Sequence, residues 1–264
     1  MYELCPNSKR SVERQIGGAT ADLQFLKGNG ALAVGLGGTI WVYDRSLGTK
    51  RMLDTTASAI QKDPVLDGTT VIWSDRRNGE NFDLYVHDLT TGQTQALIVA
   101  PGDQDEPHLC GQRLVWIDRR LPPHEAAQRE VWTLDISGQD EPRQLTEDEA
   151  EQTQPHCSGD RIVWTDYSAD GDGVYLPIAD PAANNGDIIG YDLSTDAVFV
   201  VTDHPSKQVR PAIHDSRVVW LDWRGINPEP KYSAFKVFGG ELDSELNVVA
   251  EHELATSSWQ RPSL

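Results

Sequence analysis

A 15-residue phrase occurs four times along the chain, and it constrains the fold more than any other feature. Each copy reads Gln-x-x-Pro, then a short spacer, then an aliphatic pair followed by Trp-x-Asp. The copies begin at Gln61, Gln104, Gln152 and Gln208. Their tryptophans are 43, 48 and 56 residues apart, in step with their prolines. Chance does not place such a phrase four times in register, so the chain consists of repeated structural units.

A second phrase follows each copy of the first and supplies the rest of the unit. Its clearest form is Asp83-Leu-Tyr-Val-His-Asp-Leu-Thr-Thr-Gly, with further copies from Gly38, Glu130 and Asp187 and a degenerate one from Phe235. The first phrase predicts two strands, the second of them apolar on both sides and therefore buried. The second phrase predicts two more strands joined by a hairpin turn. No segment has convincing helical periodicity, so we expect almost no helix.

Units of four strands that recur at roughly 40–50 residues are typical of a β-propeller. We therefore predict an all-β fold, a single propeller domain over 1–264 with four-stranded antiparallel blades. Five whole repeats occupy about 22–58, 59–101, 102–149, 150–205 and 206–256. The ends, 1–16 and 257–264, are predicted to pair as a composite sixth blade. A five-bladed ring and a truncated longer protein are the alternatives. The strands of a β-sandwich would not recur in this fixed four-part order.

The whole pattern closely resembles the TolB-like β-propeller repeat of bacterial envelope and secreted proteins. The resemblance covers roughly residues 22–262 and is clearest over 61–98. The matching residues there include Asp75, Arg77, Gly79, Asp83, Tyr85 and Asp88. The first unit lacks Trp-x-Asp, and Tyr167-Ser168 stands where the 150–205 unit should have its Arg step. The resemblance implies a periplasmic, cell-surface or secreted location, but it carries no catalytic motif.

The charge composition of the chain excludes some classes of binding partner. Lys and Arg number 23 against 41 Asp and Glu, a net charge of −18, which argues against nucleic acid and anionic lipid as partners. No run of 18 apolar residues exists, so we expect no membrane insertion.

The segment from Met1 to Gln15 has no apolar core, so we expect no signal peptide in it and hypothesise a removed leader or a longer gene product. We expect a monomer. Three cysteines without metal-ligand spacing predict neither a disulfide framework nor a zinc site.

The repeated tryptophans and aspartates are structural candidates. They are Trp73, Trp116, Trp164 and Trp220, and Asp75, Asp118, Asp166 and Asp222. Each Trp follows an aliphatic run and is expected to pack between blades. Three of the aspartates have an Arg two residues later, on the same strand face. We therefore expect an ion pair or a capped turn at each, with an acidic ring that binds a cation as the alternative.

The connection between strands two and three varies in length from unit to unit, which indicates a binding surface on one face. These connections are 76–82, 119–129, 167–186 and 223–233. The repeated glutamines lie at the same end, where they either bond to a neighbouring blade or contact a ligand. The candidate ligand-binding residues are Gln61, Gln104, Gln152, Gln208, Tyr167, Tyr175, Trp223 and His124. Asp170 and Asp172 resemble part of a calcium loop that lacks its final Glu, and calcium is the one cofactor considered.

No local catalytic motif is present, so no catalytic residue is assigned. His108 and His156 each follow the strand proline and are interpreted as paired structural positions. The sequence therefore favours a non-enzymatic binding or scaffold propeller that recognises a protein or a glycan through its loop-rich face. A carbohydrate-active hydrolase or lyase, with carboxylates at the channel mouth, is the alternative, since such a site needs no local motif.

Overall fold

All regular structure in the described part of the chain is β-strand. The computed structural model describes residues 22–23, 31–36, 38–44, 47–53, 60–120, 129–138, 140–147, 150–168, 185–225 and 235–256. The chain divides after Ile98 into two compact units, of which the first holds two sheets and the second holds three. The near-absence of helix expected from the sequence is therefore confirmed for the described ranges. A single domain over 1–264 stays a prediction.

Five four-stranded antiparallel sheets follow one another along the chain. The first sheet comprises β1 (Asp22–Leu23), β2 (Ala31–Leu36), β3 (Thr39–Asp44) and β4 (Thr49–Met52). The second comprises β5 (Gln61–Asp67), β6 (Thr70–Asp75), β7 (Asp83–Asp88) and β8 (Thr94–Ile98). The third comprises β9 (Gln104–Cys110), β10 (Arg113–Asp118), β11 (Glu130–Asp135) and β12 (Arg143–Gln144). The fourth comprises β13 (Gln152–Ser158), β14 (Arg161–Asp166), β15 (Asp187–Asp192) and β16 (Ala197–Thr202). The fifth comprises β17 (Gln208–His214), β18 (Arg217–Asp222), β19 (Lys236–Leu242) and β20 (Val248–Thr256).

The hydrophobic cores lie between consecutive sheets, which is how the blades of a propeller pack. One core of the second unit joins Val115 and Ile117 of the third sheet to Trp164 of the fourth. The next core joins Val163 of the fourth sheet to Trp220 of the fifth. Val163 and Trp164 are adjacent on β14 and point to opposite faces, so this strand is buried on both sides. The repeated tryptophans are all at most 2% exposed.

The first strand of each sheet from the second to the fifth contains a β-bulge at the same place. The pairing with strand two shifts register just after the opening glutamine. At each bulge a non-glycine residue adopts a positive φ between 50° and 58°. These residues are Asp63, Glu106, Gln154 and Arg210, the third position of each Gln-x-x-Pro. The bulge turns this residue's side chain and its backbone N–H out of the ladder, where they can bond to another sheet.

Bulge residues link neighbouring sheets in the second unit. Glu106 Oε2 accepts a hydrogen bond from Gln154 N at 2.6 Å, and Gln154 Oε1 accepts one from Arg210 N at 2.9 Å. Glu106 also forms an ion pair with Arg129. Each acceptor therefore satisfies the backbone donor that the bulge of the following sheet leaves outside its ladder.

Two histidines form a second row of links between the same strands. His108 Nδ1 accepts from Cys157 N, and His156 Nδ1 accepts from Ile213 N, both at 3.2 Å. The two rings lie against each other with centroids 3.6 Å apart. Because an accepting Nδ1 carries no proton, each neutral ring holds its proton on Nε2. The two histidines are thus paired and structural, as the repeat predicts.

A disulfide joins Cys110 of β9 to Cys157 of β13, with their Cα atoms 5.9 Å apart. The prediction that the cysteines form no disulfide is wrong for this pair. Cys110 is the sixth residue after Gln104, whereas Cys157 is the fifth after Gln152. Since adjacent strand residues point to opposite faces, this offset of one residue lets the two thiols meet between facing sheets. Strictly equivalent positions would point the same way and could not pair.

The predicted closing blade lies outside the described residues, because it would consist of 1–16 and 257–264. Five sheets are therefore seen, and the choice between five and six blades stays a prediction.

Candidate functional site

The two ends of each sheet from the second to the fifth differ in how the strands are connected. At one end, strands one and two are joined by only two residues, at 68–69, 111–112, 159–160 and 215–216. At the other end strand one begins and strands two and three are joined by connections of very unequal length. These connections are 76–82, 119–129, 167–186 and 223–235. Gln61 pairs with Asp75, which pairs with Asp83, and the equivalent pairs recur in the later sheets. We call this the loop-bearing end.

In the second unit the loop-bearing ends of three sheets are next to one another. Gln152 N donates to Arg129 O at 2.8 Å, which joins the fourth sheet to the connection of the third. Gln208 N donates to Gly186 O at 2.7 Å, which joins the fifth sheet to the connection of the fourth. The connections of the third and fourth sheets each therefore contact the start of the following sheet, on one side of this unit.

A buried aspartate organises the loop-bearing end of the second sheet. Asp75 Oδ2 accepts from Gln61 Nε2 at 2.9 Å, from Trp73 Nε1 at 3.0 Å and from the Arg77 guanidinium. Its Oδ1 accepts from Arg77 N at 2.8 Å and so caps the turn. Burial by itself would raise the pKa of Asp75, but the hydrogen bonds from Arg77, Trp73 and Gln61 outweigh it and hold the pKa below its usual value. The carboxylate therefore stays ionised.

The same arrangement recurs in the third and fifth sheets. Asp118 accepts from Trp116 and Arg120, and Asp222 accepts from Trp220 and Arg224. In all three sheets the guanidinium also lies over an aromatic ring of strand three. The distances to the ring centroid are 4.1 Å for Arg77 over Tyr85, 4.1 Å for Arg120 over Trp132 and 4.3 Å for Arg224 over Phe238. The ion pair and the capped turn expected from the sequence both occur, and a cation–π contact accompanies them.

The fourth sheet keeps the aspartate but lacks the guanidinium and its aromatic ring. Asp166 accepts from Trp164 Nε1 at 3.0 Å and from Ser168 N at 2.8 Å, with serine in the Arg position. Ile189 occupies the place on strand three that Tyr85, Trp132 and Phe238 hold in the other sheets. Both parts of the cation site are therefore absent from this one sheet.

Without the guanidinium, carboxylates accumulate at this end of the fourth sheet. Asp187 is the register partner of Asp166, and the two are 6% and 5% exposed. Asp187 Oδ1 has no hydrogen-bond partner in the described structure. Burial, and then the charges of Asp203 and Asp166, raise the pKa of Asp187 from 3.8 to about 6. Residues at the equivalent position elsewhere have partners: Asp83 accepts from Asn78 Nδ2 at 2.9 Å, for example, and Lys236 pairs with Glu253. We call Asp166, Asp187 and Asp203 the acidic triad.

The four candidate glutamines are at most 2% exposed. Gln61 Oε1 accepts from Ile40 N of the first sheet at 3.0 Å, which is the inter-blade bond that the sequence allowed. Gln104 Nε2 donates to Gly102 O at 3.2 Å, Gln208 Nε2 donates to Ser206 O, and Gln152 Oε1 accepts from Thr146 Oγ1 at 3.2 Å. Their amides thus serve the framework in this structure. A contact with a ligand stays a prediction.

The candidate aromatic residues divide into two groups. Tyr167 is fully buried, which corrects the expectation that its ring lies on an open recognition surface, since the ring occupies core volume. Trp223 is partly exposed and lies 6.0 Å from the Phe235 ring. Tyr175, His124 and the calcium candidates Asp170 and Asp172 lie outside the described residues. Across the described ranges no three His, Cys, Asp or Glu residues are grouped so that they could hold a metal.

The sequence offered a signal for the acidic triad. Four units contain Trp-x-Asp, and Ser168 marks the one of them in which the residue two positions after the Asp is not Arg. Its consequence depends on Asp187, which the connection 167–186 separates from Asp166 along the chain, and on Asp203 after strand four. Their proximity requires the register of β14 with β15.

Comparison with known proteins shows the fold. No protein-family model and no curated protein matches the chain. A provisionally assigned TolB from Agrobacterium tumefaciens has a TM-score of 0.62 at 15% identity, over 90% of this chain and 81% of that one. TolB from Acinetobacter baumannii has a TM-score of 0.57 at 15% identity, over 86% of this chain and 53% of that one. The designed protein Ika8 has a TM-score of 0.52 at 16% identity, over 87% and 60%.

These likenesses, with the five antiparallel sheets, show a TolB-like β-propeller fold. The chain spans about half the length of the Acinetobacter protein. No helix capable of crossing a bilayer occurs in the described part of the chain.

Proposed function

We propose that this chain is a non-enzymatic binding propeller that recognises a protein or a glycan through its loop-bearing end. The observation that carries the proposal is the asymmetry of the connections. Strands one and two are joined by two residues in each sheet from the second to the fifth, whereas strands two and three of the second unit are joined by 119–129, 167–186 and 223–235. Extended connections on one side of a regular scaffold are where repeat proteins place recognition.

The framework residues support a binding role over catalysis. The aspartates at the strand ends of the second, third and fifth sheets are paired with arginines in their own sheets. They therefore hold the connections in place and are not free for proton transfer. A rigid framework that presents variable loops is the usual design of a recognition module.

The inter-sheet disulfide supports an exported location for this function. Disulfides persist in the periplasm and outside the cell, and cytosolic thiols are kept reduced. Cys110 and Cys157 join two sheets of one unit, which is the position of a structural bond. We propose that the protein works in the envelope or outside the cell, and labelling of free thiols in the native protein tests this. Labelling at both cysteines without a reductant would contradict the proposed location.

A pair of loop variants tests the binding face. One variant replaces 168–186 with an Asn-Gly turn, and the other substitutes Gln112 and Asp160 in the tight turns of the opposite end. A glycan array and cross-linking to purified envelope proteins supply the partner, and biolayer interferometry measures its affinity for each variant. We expect the shortened variant to lose at least tenfold in affinity and the opposite-end variant to match the parent. The reverse result would place recognition on the other end.

The acidic triad gives the carbohydrate-active alternative its one specific observation. Glycosidases use a pair of carboxyls, of which the general acid has a raised pKa, and burial raises the pKa of Asp187 beside Asp166. Asp166 and Asp187 are nearly fully buried, however, and a glycosidic bond would have to lie between them. Hydrolysis or β-elimination of a polysaccharide panel by the parent, and its loss in Asp187→Asn, would favour the enzyme.

A further inference from the structure

We propose that the acidic triad of the fourth sheet, Asp166, Asp187 and Asp203, is a receptor for a guanidinium group that a protein partner supplies. The inference rests on the proposed binding function and names the chemistry of its partner. Its basis is a comparison of four sheets that share one architecture, only one of which lacks an internal cation at this place.

Three sheets show what the position is built to hold. Arg77, Arg120 and Arg224 each bring a guanidinium to the carboxylate that ends strand two. The group donates to the aspartate and lies over strand three, at the loop-bearing end of its sheet. The fourth sheet has the same register, the same Trp–Asp hydrogen bond and the same capped turn. The carboxylate, its hydrogen bond from Trp and the capped turn are therefore kept where the cation is missing, whereas Ile189 replaces the aromatic ring.

A second, independent observation is that one carboxylate oxygen of Asp187 has no hydrogen-bond partner in the described structure. Only 6% of the Asp187 surface is exposed, yet Oδ1 of its side chain lacks a hydrogen-bond donor in the described structure. A buried acceptor without a donor is rare in native proteins and often marks a group that is satisfied by a ligand. Asp166 pairs with Asp187 across β14 and β15, and Ile188 pairs with Thr202 across β15 and β16, so Asp203 follows beside Asp187 at the same end of the sheet. The charges of Asp166 and Asp203 act on Asp187, and a positive charge at this end would stabilise all three carboxylates.

The connection 167–186 brings no cation of its own to this end of the sheet. No Lys or Arg occurs between Arg161 and Lys207, a stretch that contains the whole connection 167–186. Arg161 pairs with Asp192 at the opposite end of the sheet. Arg224 donates to Thr202 Oγ1 but is already paired with Asp222 and Glu251. On this proposal, the cation for the triad comes from another molecule.

The exposure of the equivalent arginines and of Asp203 supports an approach to the triad from solvent. The side chains of Arg77, Arg120 and Arg224 are 22%, 30% and 20% exposed, so the equivalent place in the other sheets is open on one side. Asp203 is itself exposed and forms the outer edge of the triad. We place the approach of a partner's Arg at Asp203, since Asp166 and Asp187 are themselves 5% and 6% exposed.

The donor set favours a guanidinium over a metal ion. No metal-binding group of three His, Cys, Asp or Glu residues is assembled in the described ranges. Calcium needs six or more oxygens at short range, whereas a planar guanidinium carries five donors in a fork that suits separated carboxylates. The partner chemistry is thus an exposed arginine in a protein segment that docks at the loop-bearing end.

The test uses two peptides that differ only in the charge of one side chain. The probes are acetyl-Gly-Gly-Arg-Gly-Gly-amide and the same peptide with citrulline, which keeps the shape and loses the positive charge. Their affinities are measured by NMR titration at low ionic strength for the parent and three variants. Ser168→Arg supplies the guanidinium within the chain, Asp187→Asn removes the buried charge, and Gln112→Arg adds the same charge in a tight turn at the opposite end.

We expect the arginine peptide to bind the parent and Gln112→Arg equally, and Ser168→Arg and Asp187→Asn at least tenfold more weakly. Citrulline binding within twofold of arginine binding would overturn the proposal, and so would undiminished binding by Ser168→Arg. If a partner found by screening binds Ser168→Arg as tightly as the parent, the triad is not its site and the binding function stands. If the arginine peptide behaves as expected but shortening 168–186 leaves partner affinity unchanged, the triad stands and the assigned face does not.

Discussion

Replacing Asp187 with asparagine should stabilise the protein, and by an amount that depends on pH. A carboxyl whose pKa is raised on folding binds its proton more tightly in the folded state, so it lowers stability as pH rises through the interval between the two values. For Asp187 that interval runs from 3.8 to about 6. The complete shift corresponds to about 3 kcal/mol. Asparagine keeps the shape and removes the charge that Asp166 and Asp203 oppose.

The measurement is chemical denaturation of the parent and Asp187→Asn at pH 4 and pH 8. Asparagine also alters local hydrogen bonding, which affects both pH values alike, so the difference between them isolates the charge. We expect the variant to gain about 2–3 kcal/mol more at pH 8 than at pH 4. Asp160→Asn, in the exposed tight turn of the same sheet, is the control, and its effect should be the same at both pH values. A gain for Asp187→Asn that changes by less than about 0.5 kcal/mol would show that the buried charge is not opposed.

Three further results are expected. Trp116→Ala should destabilise the chain by about 3–5 kcal/mol in denaturant melts, because it empties a fully buried site, whereas the exposed Val198→Ala should change stability by under about 0.5 kcal/mol. Reduction of Cys110–Cys157, which closes a separation of 47 residues, should lower stability by about 2–4 kcal/mol; an unchanged midpoint with dithiothreitol would contradict a structural bond. Asp75 has a lowered pKa, so its contribution is present above pH 3.8 and lost as pH falls below it. Asp75→Asn should therefore lose less stability on acidification than the parent, and a parallel acid limb would refute this.

The repeat predicted the fold because strand order and register are local properties. Gln-x-x-Pro and Trp-x-Asp lie on two strands joined by a two-residue turn, so their spacing in sequence fixes their pairing in the sheet. The burial of Trp73 on a strand with both faces covered follows from the continuous apolar run around it. These features need no information from distant parts of the chain.

The disulfide and the acidic triad could not be predicted in this way, because each joins residues that come together only after sheets and long connections are placed. Cys110 and Cys157 differ by one position in the repeat, and a search for equivalent positions discards them for the offset that makes the bond possible. Asp187 has an ordinary sequence context, Gly-Asp-Ile-Ile. Its unusual environment arises from its burial, from the charges of Asp203 and Asp166, and from the absence of an arginine at Ser168, just after β14.

The hydrogen bonds between bulge residues run in one direction along the sheets of the second unit. The bulge side chain of one sheet accepts a hydrogen bond from the bulge backbone N–H of the following sheet. Glu106 accepts in this way from Gln154 N, and Gln154 accepts from Arg210 N. Duplication of a whole repeat would preserve this match, provided that the new copy carries Asp, Glu or Gln at the third position of Gln-x-x-Pro. Arg210 breaks the series, since a guanidinium has no lone pair to offer. A repeat duplicated before the fifth sheet would therefore keep the inter-sheet hydrogen bond. A sheet added after the fifth would need another kind of inter-sheet contact, because Arg210 has no acceptor.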